Sequence, residues 1–163
     1  MSKKMGEFSE VCASAERIKM DNMNQLGHPT HRYKIGMQWL SEQHHSYLQL
    51  DDDGWAVDFD GAETEFYEEV FDEGHLYRVA EGKFKDYYLA QQLFHLSGHA
   101  YVGVYRHKIF SSVWKKDHDT DRFGPTRFPG LFLSTKSDNS DHYIFATLES
   151  DKEFEILKVD LIR

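Results

Sequence analysis

A chain of 163 residues with 40% hydrophobic and 15% aromatic content fits one domain with a short appendage, and 12 Phe and 9 Tyr supply enough bulk for a real core, which excludes global disorder. The formal charge of −9 and the pI near 5.5 argue against nucleic acid, polyanions and anionic membranes as partners, because phosphate-tracking surfaces are basic; a local patch at Arg106-His107-Lys108 or Lys115-Lys116 stays open. No apolar run approaches the roughly 20 residues of a membrane span, and a single cysteine, Cys12, excludes an intramolecular disulfide framework and suits a reducing compartment.

The first residues, with Lys3 and Lys4 but no apolar stretch behind them, do not read as a secretory signal, so the expectation is synthesis in the cytoplasm without a signal peptide. Residues 8 to 23 hold Val11, Ala15, Ile18 and Met23 at loose helical spacing behind Ser9. They read as a leader, either a short helix or mobile chain. Gly27 and Pro29 mark an entry turn, which puts a leader and linker at 1–30 and the folded domain at 31–163.

From Tyr33 to Leu40 bulky and polar residues alternate at period two, as in a half-buried strand. Ser46 to Leu50, the turn Asp51-Asp52-Asp53-Gly54, and Trp55 to Phe59 read as a hairpin. Thr64 to Phe71 and His75 to Ala80 are two more strands, turned by Asp72-Glu73-Gly74. Asp86 to Leu96 fits either a helix or a strand. Strands are expected at Ala100–Tyr105 and Lys108–Trp114, a polar loop at Lys115–Gly124, and closing strands at 130–135, 142–148 and 153–162. Ten or so short strands with frequent turns specify an all-β sandwich or barrel.

A repeat narrows this. Tyr47-Leu48, Tyr88-Leu89 and Phe132-Leu133 place three leucines 41 and 44 residues apart. The first and third copies each continue through a polar turn into an apolar strand and then a Phe-centred strand, at Phe66 and at Phe154; the middle copy is ragged after Leu93. Three pseudo-repeats of about four strands are the plan of a β-trefoil, in which the repeated leucines meet near a threefold axis and few strand edges stay unpaired. A generic β-sandwich with chance similarity is the competing reading.

The stretch Phe123-Gly-Pro-Thr-Arg-Phe-Pro-Gly-Leu-Phe-Leu-Ser-Thr135 resembles the signature of the interleukin-1 family of cytokines through Phe123, Pro129, Gly130, Phe132, Leu133, Ser134 and Thr135. Pro125 stands where that family usually has Ser, and Leu131 where it often has Trp. The ending Phe154-Glu155-Ile156-Leu157 resembles the family's last strand. The segment from Tyr47 to Val57 is similar to a hairpin of fibroblast growth factors, also trefoils, but those bind heparin with basic surfaces and this chain is acidic.

The resemblance implies a non-enzymatic, monomeric β-trefoil that engages a receptor ectodomain, made in the cytoplasm and released by an unconventional route. It also implies processing after Asp21, against the plainer reading of one acidic residue in a leader. Partner contacts are expected from exposed turns: Asp51, Asp52, Asp53 and Trp55; Asp117, His118 and Arg122; Lys136, Asp138 and Asn139. The histidines His95, His99, His107 and His118 keep open a likeness to the fascin and hisactophilin group of actin-binding trefoils.

No cofactor and no metal are expected. His44 and His45 are neighbours on a strand and face opposite ways, and the run from Asp117 to Asp121 lacks the Gly and terminal Glu of a calcium loop. Cys12 stands in no catalytic motif. One enzyme alternative is an ADP-ribosyltransferase-like domain using NAD, with Arg78 on a phosphate, Ser134 on its Ser-Thr strand and Glu155 orienting the nucleophile. The interval from Ser134 to Glu155 is tighter than such enzymes usually show.

Overall fold

The computed structural model describes residues 31–41, 44–59, 63–94, 99–138 and 141–163, and these form one unit within His31–Arg163. The expected leader with Cys12 and Asp21, together with His95 and Asn139, lies outside the described residues.

The period-two pattern that opens the domain folds as expected. Strand β1 (Arg32–Gln38) turns Ile35 and Met37 inward and continues to Trp39, each at most 2% exposed. Short strands β2 (His45–Tyr47) and β3 (Gln49–Leu50) follow, then β4 (Ala56–Val57). β5 (Glu65–Phe71) and β6 (Gly74–Val79) form a hairpin in register from Phe66↔Val79 to Phe71↔Gly74. Its turn uses Asp72 at φ +54°, a left-handed conformation that Asp tolerates better than most residues.

Next come β7 (Tyr88–Phe94), β8 (Ala100–Tyr105), β9 (Trp114–Lys116), β10 (Phe123–Pro125), β11 (Leu131–Lys136), β12 (Ile144–Leu148), β13 (Phe154–Ile156) and β14 (Lys158–Ile162). Among the described residues the strands pair antiparallel and no α-helix occurs.

One open sequence expectation is resolved and two change. The segment from Asp86, open between helix and strand, is the strand β7, because pairing with β8 from Tyr88↔Tyr105 to Gln91↔Val102 buries Leu89 and Ala90 completely. The strand expected at Lys108–Trp114 is instead a 3-10 turn over Lys108–Phe110, and strand pairing begins only at Trp114. Ser111 closes that turn by donating both its backbone N–H (2.9 Å) and its hydroxyl (2.6 Å) to Lys108 O, so the bulk of Ile109 and Phe110 never reaches the core. The ends of the expected loop at 115–124 pair with each other as β9 and β10.

Lateral pairing runs from β14 to β1, β5, β6, β9 and β10, and Val159 N–H donates to Asp121 O (2.8 Å), bringing β14 back beside the approach to β10. Three hairpins, β3–β4, β7–β8 and β11–β12, meet through the bridges Trp55↔Gly103 and Val57↔Tyr143 and the pair Phe145↔Tyr101.

Leu48, Leu89 and Leu133 are each 0% exposed and belong to one core cluster with Ile35, Phe66, Trp114 and Phe123. Each carbonyl accepts a backbone bond from a residue further along: from Thr64 N (3.2 Å), Ser112 N (3.3 Å) and Leu157 N (3.0 Å). Full burial of each leucine contributes about 1.5–3 kcal/mol.

Candidate interaction surface

The turns expected to meet a partner are built mainly by their own carboxylates. Asp51 Oδ1 accepts the N–H groups of Asp53 and Trp55 (both 2.9 Å), so Asp51 shapes the hairpin while Asp52 and Asp53 face solvent. Asp117 Oδ1 accepts Asp119 N–H (2.9 Å), and backbone bonds to Arg122 O and from Asp121 N close the same loop. The amide of Asp119 holds the Asp117 carboxyl below the usual range, since the bond favours the charged form.

Arg122 makes a bidentate pair with Glu149 (2.8 and 2.7 Å) and lies over the Phe132 ring at 5.4 Å. The Arg122 guanidinium in turn keeps Glu149 below its ordinary pKa. Lys136 pairs with Asp141 (3.1 Å) and stands 5.9 Å from the Phe145 ring centre. Asp138 and His118 are exposed.

These residues fall in two places. Trp55 contacts Tyr101 (5.5 Å between ring centres), which contacts Tyr143 (5.7 Å) and Phe145 (4.8 Å), the ring under Lys136. Trp55 and Lys136 thus border one aromatic face, where Trp55, Tyr101 and Tyr143 line a cavity of about 230 Å³. Asp117 and His118 instead border a groove of about 590 Å³ with Lys115, Pro129 and Phe132. A third groove, of about 430 Å³, runs along β1, β2 and β14 past His45, Asp121 and Asp160.

The residues of the NAD alternative are each engaged elsewhere. Arg78 binds Glu69 and Asp86 (both 2.7 Å), and its guanidinium lies 4.9 Å from the Tyr67 ring centre. Ser134 is fully buried and accepts a bond from Thr147 Oγ1 (2.9 Å). Glu155 accepts two bonds from Ser41, at 2.9 and 2.7 Å. His44 lies 4.6 Å from the Trp39 ring centre and 3.7 Å from the buried Asp58, while His45 lines the β1–β14 groove, so the two histidines do face apart. Among the described residues no three His, Cys, Asp or Glu side chains are grouped as a metal site.

Sequence reasoning passed over two strongly exposed apolar side chains. Ile109 is 82% and Phe110 58% exposed, because a segment read as strand is a turn. Their composition signal was legible: no Asp or Glu occurs from residue 87 to 116.

The sequence matches no protein-family model and no curated protein.

Proposed function

We propose that the chain is a β-trefoil that works by binding another protein, in the manner of an interleukin-1-like cytokine on a receptor ectodomain. The observation that carries the trefoil reading is the threefold recurrence of one bond. Leu48, Leu89 and Leu133, at a near-constant interval, are all buried in one core, and each carbonyl accepts an N–H from the last part of its own repeat. The meeting of three hairpins through Trp55, Val57, Tyr101, Gly103, Tyr143 and Phe145 supports the same arrangement.

Binding rather than catalysis is supported by the engagement of the polar side chains. Arg122, Lys136, Arg78 and Glu155 are held in pairs that stabilise loops and strands. What the exterior offers a partner is the half-buried aromatic cluster of Trp55, Tyr101 and Tyr143 with Lys136 and the acidic turns near it, the composition from which hot spots are built. The cytokine-like branch rests on the resemblance from Phe123 to Thr135, whose Leu131, Leu133, Ser134 and Thr135 are buried core positions.

The test is capture of interleukin-1-type receptor ectodomains and of filamentous actin, side by side, by the immobilised chain. Saturable ectodomain binding with no actin binding is expected. Retention on actin alone would move the chain to the intracellular branch. Nicotinamide release from NAD that Glu155→Gln abolishes would overturn the non-enzymatic reading.

A further inference from the structure

Residues 87–116 carry Arg106, Lys108, Lys115 and Lys116 and no acidic residue, in a chain of formal charge −9. Part of this stretch forms an apolar face. The 3-10 turn at Lys108–Phe110 buries none of its residues, and Phe110 lies 5.7 Å from the Tyr105 ring centre. Between this turn and the 125–128 loop runs a groove of about 520 Å³ whose lining includes Gln91, Ile109, Phe110, Arg127 and Phe128 but no carboxylate.

Arg106, His107 and Arg127 are exposed, and among the described residues neither arginine has a carboxylate partner. Lys108 lies 3.6 Å from Glu69 and 5.9 Å from the Phe71 ring centre, and the Arg127 guanidinium lies 5.9 Å from the Phe128 ring centre. In the groove wall, Gln91 Oε1 is buried without a hydrogen-bond partner among the described residues, although Gln91 N–H is satisfied by Ser112 Oγ (2.8 Å).

We propose that this groove docks an acidic peptide segment of a protein partner. The segment seats an apolar side chain between Phe110 and Phe128 and brings carboxylates to Arg106 and Arg127. The complementarity is electrostatic as well as apolar, since the rest of this acidic chain repels such a segment and steers it to this face. The concavity favours a peptide over a lipid surface. The inference deepens the reading of the chain as a protein-binding module and rests on it.

The test is fluorescence anisotropy of a fluorescein-labelled octapeptide, Glu-Asp-Glu-Phe-Glu-Asp-Leu-Glu, against the full chain. The pair Arg106→Glu/Arg127→Glu and the pair Ile109→Ser/Phe110→Ser alter only exposed side chains, and circular dichroism verifies their folding. Saturable binding is expected, weakened at least about tenfold by either pair and weakened by salt in the wild type. Absence of saturation, unchanged binding by both folded variants, or equal binding of a peptide with Lys for every acid overturns the proposal. Binding to phosphatidylserine vesicles with the peptide silent overturns it in favour of a lipid face.

The two readings fail separately. Receptor ectodomain captured equally by both variants sinks this groove and leaves the receptor reading standing. Peptide binding with no ectodomain captured does the reverse.

Discussion

At the residue scale, acidity serves the turns. Asp51, Asp117, Asp141 and Asp151 each accept the N–H two residues on, at 2.9, 2.9, 3.1 and 3.1 Å, so each carboxylate replaces a backbone partner that a tight turn lacks. This sets the response to acid. Asp117, held by the Asp119 amide, and Glu149, held by Arg122, have folded pKa values below their unfolded ones. Their contribution to stability is present above the unfolded values, near 4, and is lost as pH falls through the lowered folded values. The thermal midpoint should therefore drop between about pH 5 and pH 3, and Glu149→Gln should flatten that slope while lowering the midpoint at neutral pH.

The two most buried tryptophans differ in the same local terms. Trp114 stacks on Phe123 (5.2 Å, 2°) and donates Nε1–H to Leu89 O (3.1 Å), whereas Trp39 Nε1 is buried with no partner among the described residues. Both changes to Phe lose volume, but only Trp114→Phe loses a bond. Trp114→Phe should cost about 1 kcal/mol more than Trp39→Phe in chemical denaturation, and equal losses would refute this account.

At the element scale, the close approach of β10 to β11 requires glycine. A Cβ on Gly124 would overlap the Leu131 carbonyl carbon and oxygen, which are backbone atoms and cannot swing aside. Gly124→Ala should destabilise by about 1–3 kcal/mol, read from the denaturation midpoint. Elements were legible where alternation coincides with burial, as in β1 and β8. The turn at Lys108–Phe110 was not, because Ile-Phe beside Val-Trp looks like a strand core until Ser111 is seen bonded back to Lys108. β7 was ambiguous for a related reason. Its Tyr88, Leu89 and Leu93 suit a helix face or a pleat, and pairing with β8 decides between them.

At the scale of the whole molecule, the three repeated leucines make the strongest claim. Their surroundings are alike in burial and in the bond each carbonyl accepts, so Leu48→Ala, Leu89→Ala and Leu133→Ala should each cost about 2–5 kcal/mol and resemble one another. One replacement that costs almost nothing would break the equivalence on which the trefoil reading depends. The candidate site was less legible than the core. Exposed acidic turns attract attention in a sequence, yet Arg122 and Lys136 are occupied by Glu149 and Asp141. Arg127, with no such partner among the described residues, was not singled out at all.

What the amino-acid sequence determined by itself was the all-β character, the interval between buried leucines and the positions of most turns. These follow from local alternation, β-propensity and turn chemistry, which neighbours along the chain suffice to express. Only tertiary structure decided which carboxylates spend their charge on a neighbouring cation, which apolar side chains stay outside, and which acceptor is buried unpaired. Those outcomes depend on groups tens of residues away in the chain, and no pattern within a single strand encodes the distance at which they meet.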